Sequence, residues 1–396
     1  VQQPNHDTRT KAADAPRRVG LLIEPTAEVF RQVLMGVAEY AQQRPGWRCE
    51  GQPAMVSQDL GPLARWDGDG LIVQGRTPGQ VRQLLRLSIP IVEVYDKHEW
   101  TDRLACVDSD AVGRLGAEHL LELGHEHLAF VELPKLALSR RRRASFERTA
   151  RRAGRRSLSC RHTTLTQLAA WLQTLPRPIG IMAATDGLAH RLIKACHAAG
   201  LRVPQDVAVV GAGNDPIVCA YCDPPLTSIE LGASRAGWAA AELLDRLMTG
   251  QDPGPLPATV PPVRLVARDS TAKAASSDPV VAATLDRLHA PLRRTPHDPR
   301  RRPPTPDLNQ LAHAAGVSRR TLERRFAAAL GHSPFEATRR ARVDHAAGLL
   351  LDTDLPVKTV AHQAGFVDAR QMARAFRDRY DLNPSDYRRL HRRTAP

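Results

Sequence analysis

Residues 318–326 read SRRTLERRF, and residues 368–376 read DARQMARAF. The two stretches share one scaffold. Each opens with a residue whose side-chain oxygen can cap a helix, Ser318 and Asp368. Each sets a long apolar side chain four positions before a phenylalanine, Leu322 before Phe326 and Met372 before Phe376, which puts each pair on one helical face. Each follows an Ala-Gly pair, Ala315-Gly316 and Ala364-Gly365, suited to stop a preceding helix. The pattern predicts two helix–turn–helix units, over 307–330 and 356–380.

The flanking signals agree. Ser333-Pro334, with Glu336 to complete a capping box, starts a helix running to about Leu351 that joins the two units. Thr305-Pro306 is expected to cap and start the helix before Gly316. Pro356 starts the one before Gly365, and Asn383-Pro384 the last. A helix–turn–helix lays its second helix in the DNA major groove. The outward residues of the first such helix are Arg319, Arg320, Glu323 and Arg324, and of the second Arg370, Gln371 and Arg374. The arginine fork fits guanine, glutamine fits adenine, and glutamate accepts from cytosine. Arg325, Lys358, Arg377 and Arg379 suit phosphates, which position a protein without specifying sequence.

Bulk properties point the same way. The chain has 396 residues, a net charge of +14 and 42% hydrophobic residues. That charge calls for a polyanion, nucleic acid before membrane. The six cysteines form no disulfide framework, and Cys219-x-x-Cys222 lacks two further ligands spaced for zinc. No metal and no cofactor is called for. No stretch approaches the ~20 apolar residues of a membrane span. The polar first residues lack the apolar run of a signal peptide, so the expected location is the cytoplasm and no membrane partner is expected.

After a polar tail over 1–16, residues 17–271 alternate between strand-like and helix-like segments. RVGLLIE (18–24), DGLIVQG (69–75), IPIVEVY (89–95), HLAFVEL (127–133), IGIMAAT (179–185) and DVAVVGA (206–212) read as buried strands. Residues 28–42 put Val29, Val33, Val37 and Tyr40 on one helical face, and a helix bearing Val81, Leu84 and Leu85 falls between two strands. Further helices end at Gly124 and Gly250, and PVRLVARDST is read as a last strand. This is α/β architecture with parallel sheets, either one large sheet or two lobes. Residues 272–306 hold one helix, from Asp278-Pro279 to about Ala290, and then a loop dense in Pro and Arg. The run DVAVVGAGNDP looks like the start of a dinucleotide fingerprint, but its sixth position is Pro216. No nucleophile triad or carboxylate pair appears, so no enzyme is predicted.

LAHAAGVSRRTLERRF and GFVDARQMARAFRDRYDLNPSDYRR resemble the two halves of an AraC/XylS-type DNA-binding domain, over about 307–390. The resemblance implies that both recognition helices enter successive major-groove segments. It assigns base contacts to Arg320, Glu323 and Arg324, then to Ala369, Arg370, Gln371 and Arg374. DAVGRLGAEHLLELGHEHLAF (110–130), SRRRRASF (139–146), GIMAATDGLAHRLIKACHAAGLRVPQDVAVVGAGND (180–215) and DPPLTSIEL (223–231) resemble the sensor domain of LacI/GalR-type repressors. That domain has a two-lobed periplasmic-binding-protein-like fold. A sensor of this kind before an AraC-type domain is the order found in xylose-operon activators.

The expected fold is thus a two-lobed α/β sensor followed by an all-α domain with two helix–turn–helix motifs. The resemblance implies operator DNA, a sugar-like effector, a homodimer and, for an activator, RNA polymerase as partners. Sugar hydroxyls demand paired hydrogen bonds, and ligands of α/β folds sit at strand ends. Residues at such ends are Arg31, Asp108, Arg142, Thr185, Asp186, Asn214 and Asp215. Gly213 stands where the sensor family usually carries an aspartate.

Overall fold

A computed structural model of the chain describes residues 16–51, 66–74, 83–84, 86–94, 103–134, 136–251, 256–272, 276, 278–293, 306–380 and 382–392. The chain forms two compact units. One holds Val1–Val107 and Ala233–Val260, the other Asp108–Gly232 and Pro261–Pro396. The α/β part therefore carries two sheets rather than one, and the chain leaves its first unit and later returns to it.

The first unit is built on β1 (Arg17–Leu22), β2 (Trp47–Gly51), β3 (Gly70–Gln74), β4 (Ile91–Val94), β5 (Leu104–Val107) and β11 (Ala258–Val260). Their order is β11-β5-β4-β3-β1-β2, and every pairing is parallel. Helices α1 (Glu28–Gln42) and α7 (Ala233–Met248) cover it. Phe30, Val33, Val37 and Tyr40 of α1 pack with Ala240, Leu243 and Leu244 of α7 in one apolar cluster. Phe30 takes the buried place expected of Val29, which is only partly covered. Asp245 of α7 gathers three partners from the start of the chain: Arg17 at 2.6 Å, the Tyr40 hydroxyl at 2.9 Å and the Trp47 indole at 3.2 Å. Of the helix expected around Val81, Leu84 and Leu85, Val81 and Leu85 lie outside the described residues, and Leu84 is buried beside Leu22, Leu71 and Val73.

The second unit contains β6 (His127–Val131), β7 (Ser157–Cys160), β8 (Ile179–Ala183), β9 (Val207–Ala212), β10 (Thr227–Glu230) and β12 (Arg264–Val266), in the order β12-β10-β9-β8-β6-β7. Only β12 runs antiparallel to its neighbour. The β8 and β9 residues are all buried, as the continuous apolar runs of a parallel sheet covered on both faces should be. The helices are α2 (Ser109–Glu122), α3 (Ala137–Arg152), α4 (Leu165–Gln173), α5 (Asp186–Ala198) and α6 (Pro216–Tyr221). Strand β7, with half-exposed Ser and Leu residues at a sheet edge, has no apolar run to announce it.

The same unit continues into α8 (Pro279–Arg293), α9 (Leu308–Ala314), α10 (Arg319–Leu330), α11 (Pro334–Asp352), α12 (Val357–Gln363), α13 (Ala369–Tyr380) and α14 (Pro384–Arg392). Two apolar clusters organise them. Val281, Leu285 and Leu288 of α8 join Leu308, Leu311, Leu322, Phe326, Ala337 and Ala341. The later half of α11 joins Val360, Met372, Phe376 and Tyr387. Helix α11, ~28 Å long at 1.5 Å per residue, thus serves both cores.

Ser318, Ser333, Asp368 and Asn383 each accept a backbone N–H at a helix start, and Asp278 does the same for α8. One expected cap is corrected. Asp307, not Thr305, starts α9: its carboxylate accepts the Gln310 amide at 2.8 Å while the Gln310 side chain accepts the Asp307 amide at 2.9 Å. Glu336 closes no box with Ser333, because Arg339 and Arg340 hold its carboxylate. The Pro/Arg-rich loop over 294–305 lies outside the described residues. Among the described residues no helix is long and apolar enough to cross a membrane.

Candidate functional site

Helices α10 and α13 are built alike. Leu322 and Phe326 are fully buried in the first, Met372 and Phe376 in the second. Gly316 and Gly365, at φ 67° and 86°, make the left-handed turns that precede them. The burial fixes which faces look out. Arg319, Arg320 and Arg324 are exposed on α10, with Glu323 half-buried beside them. Arg370, Gln371, Arg374 and Arg377 are exposed on α13, and Lys358 on α12. Arg319 donates to Glu323 at 2.9 Å, so that carboxylate is already matched. The Gln371 carbonyl accepts the Val367 amide at 3.1 Å, which leaves its NH₂ as the end free to donate.

Two arginines assigned to phosphates are placed otherwise. Arg325 donates to Asp278, the cap of α8, at 3.2 Å. Arg379 is largely buried and paired: it forms a two-pronged contact with Asp344, 3.0 Å on each prong, and reaches Glu122 at 3.3 Å. Those carboxylates lift the Arg379 guanidinium further above its usual range, outweighing the desolvation that works against it.

Six of the seven candidate effector residues belong to the second unit. Arg142 is only 1% exposed and donates to the Ala184 carbonyl at 2.6 Å, beside Thr185. Thr185 caps α5, accepting the Leu188 amide. Asp186 is buried. Its Oδ1 accepts the Ser228 hydroxyl at 2.5 Å and its Oδ2 the Asp215 amide at 2.9 Å. Burial pushes the Asp186 carboxyl up, opposed by these two hydrogen bonds.

Asn214 has φ 52°, its backbone N–H donates to the Ser228 hydroxyl at 3.0 Å, and its side-chain Oδ1 accepts from Arg268 at 2.8 Å. Asp215 caps α6 through Ile217 and Val218. Hydrogen bonds at the ends of β8 and β9 thus link Asp186, Asn214 and Asp215, through Ser228 and the Asp215 amide, while Thr185 precedes Asp186 in the chain and Arg142 bonds the Ala184 carbonyl next to it. Asp108 caps α2 by accepting the Ala111 amide at 3.0 Å. Arg31, in the first unit, pairs with Glu28 at 2.8 Å and with the Pro25 and Thr26 carbonyls.

Ser228 and Arg268 hold this group together and carried no signal in the sequence. Gly213 has a physical reason for being glycine. Its φ is 143°, and a Cβ there would lie 2.8 Å from Asp186 Oδ2. The Cys219 thiol sits 3.8 Å from the same oxygen, and Cys222 lies 3.3 Å from His190 Nδ1. Burial pushes both thiols up, Cys222 to about 11, the opposite of what metal or redox chemistry needs.

Known proteins are similar to this chain. A periplasmic binding protein-like domain family matches residues 117–271, and a helix-turn-helix domain family matches 311–390. The xylose operon regulatory protein of Escherichia coli K12 is 27% identical over 94% of this chain and 96% of its own length. Its counterpart in Haemophilus influenzae is 24% identical over 94% and 98%. The structure of the xylose-binding transcription activator XylR superposes with a TM-score of 0.58 at 27% identity, covering 95% of this chain and 98% of that one.

Proposed function

This chain is a DNA-binding transcription regulator with a periplasmic-binding-protein-like sensor, and we propose that the sensor answers to a sugar or sugar-like polyol. DNA is read by α10 through Arg320, Glu323 and Arg324 and by α13 through Arg370, Gln371 and Arg374. Arg319, Lys358 and Arg377 take phosphates. The observation that carries this is the pair of matched helices, each with its apolar side chains buried and the arginines assigned to bases exposed. Selection of bound sequences from a random DNA pool tests it. A motif with two separate half-motifs is expected, and a single half-motif overturns the two-helix reading.

Within the second unit the effector is assigned to Arg142, Thr185, Asp186, Asn214 and Asp215, with Asp108 at the start of α2 as a further candidate; Arg31 is a separate candidate in the first unit. A dense group of donors and acceptors suits a polyhydroxylated molecule. Relatives named for the xylose operon put D-xylose first in a thermal-shift panel of pentoses, hexoses and polyols. Failure of every member to raise the melting temperature would remove the sugar assignment. The regulator acts in the cytoplasm as a homodimer, contacting RNA polymerase if it activates. Effector binding can alter DNA binding only by its differential affinity for two arrangements of the protein.

A further inference from the structure

We propose that Glu122 is the residue by which the sensor lobe holds the second recognition helix, with α2 as the strut that links that hold to the effector end. The strut half of the proposal rests on the assignment of Asp108 and Arg142 to the effector.

Helix α2 spans 14 residues, ~21 Å at 1.5 Å per residue. Asp108 caps its first turn and Glu122 is its last residue. It is not free to bend away from α3. A Cβ at Gly113 would lie 2.1 Å from the Arg142 carbonyl oxygen, so the two helices touch backbone to backbone beside a candidate effector residue. The Ser145 hydroxyl donates to the Asp110 carbonyl at 2.7 Å, and Arg148 to the Asp110 carboxylate at 2.6 Å. A packed pair of this kind passes displacement along its length rather than absorbing it.

At the far end, Glu122 is 6% exposed. Its Oε1 accepts from Arg340 of α11 at 3.4 Å and from Arg379 of α13 at 3.3 Å. Glu118, one turn earlier, lies 3.8 Å from Arg379. Within the DNA-binding domain Arg379 has its own anchor, Asp344, whose carboxylate also accepts the Tyr380 hydroxyl at 3.0 Å. The chemistry is asymmetric. Neutralising Glu122 leaves Arg379 and Asp344 paired, so α13 keeps its place in its own core while the sensor lobe loses its closer charged contact and keeps only the longer one from Glu118.

Hydrogen exchange of the full chain, without DNA or effector, tests the hold. Glu122→Gln should raise exchange of amides in 369–380 by about fivefold or more, as loss of a tethering contact lowers local opening free energy. Amides of 109–121 should be unchanged. Arg340→Gln, on a partly exposed side chain, breaks one arm of the same contact from the other side and gives a smaller rise if Glu122→Gln fails to fold. Glu126→Gln, exposed and 3.8 Å from Arg155, should change neither segment. No rise in 369–380 in either variant, or an equal rise in 109–121, overturns the proposal. The sugar panel is read separately, so its failure would remove the effector assignment and leave the hold between Glu122 and α13 standing.

Discussion

Ser228 donates its hydroxyl to Asp186 across a distance of 2.5 Å, from the start of β10 to the start of α5. Asp186 also accepts the Asp215 amide. Asp186→Ala would leave a buried hydroxyl and a part-buried amide without their acceptor. The expected loss of stability is about 2–4 kcal/mol, read by urea unfolding. An unchanged midpoint would show that the carboxylate is not what holds the β9–α6 turn.

Gly213 cannot become an aspartate at no cost. At φ 143° an L side chain is strained, and its Cβ would press on the Asp186 carboxylate. Gly213→Asp should destabilise by about 2 kcal/mol or more. A melting temperature equal to the parent's would refute the crowding.

Arg324→Ala and Arg374→Ala should each remove about 1–3 kcal/mol of specific binding, at different base pairs. Fluorescence anisotropy against single-substitution operators reads this. Relaxation at one and the same base pair would mean that the two helices do not read separate parts of the site.

Arg377→Ala should weaken binding to all sequences alike and lower the slope of log affinity against log salt by about 1. A loss confined to certain sequences would move Arg377 among the base-reading residues.

His125 is buried, and that burial, with a small contribution from His127, depresses its pKa from 6.5 to about 4. The folded protein therefore keeps this imidazole neutral where the unfolded chain protonates it. The sign is that of a depressed group: the contribution is full above pH 6.5 and is lost as pH falls toward 4, about 3 kcal/mol in all. His125→Gln should flatten unfolding free energy against pH across that window. An equally steep fall in the variant would assign the effect to other groups.

What could be read without coordinates was local. Ser318, Leu322 and Phe326 follow one another within three turns, so capping and helical period suffice to place them. Arg377 and Arg379 show the limit. Two residues apart on an arginine-rich helix, they are alike in sequence, yet one is exposed and the other is paired with Glu122, 257 positions earlier in the chain. The effector end is similar. The strand ends marked Asp186, Asn214 and Asp215, but Ser228 and Arg268, which bond to them, lie 42 and 54 positions from Asp186 and Asn214 respectively. The start of α9 is set by near neighbours. Asp307 with Gln310 forms a reciprocal box, which satisfies two backbone amides at once.

The gathering of Arg17, Tyr40 and Trp47 around Asp245 sets a clock on biosynthesis. Trp47 and Asp245 are 198 positions apart. At 5–20 residues per second, the ribosome needs roughly 10–40 s to make the one after the other. Strands β6 to β10 are complete before α7 is made. The lobe whose chain begins first thus cannot close first: its early strands wait on a helix synthesised after five of the other lobe's six strands, and only β12 of that second sheet is made later. Nascent chains stalled near residue 270, which leave about the first 235 residues outside the ribosome, should show more protease resistance in 108–232 than in 17–107; equal resistance in both would mean that α7 is dispensable for closing the first sheet.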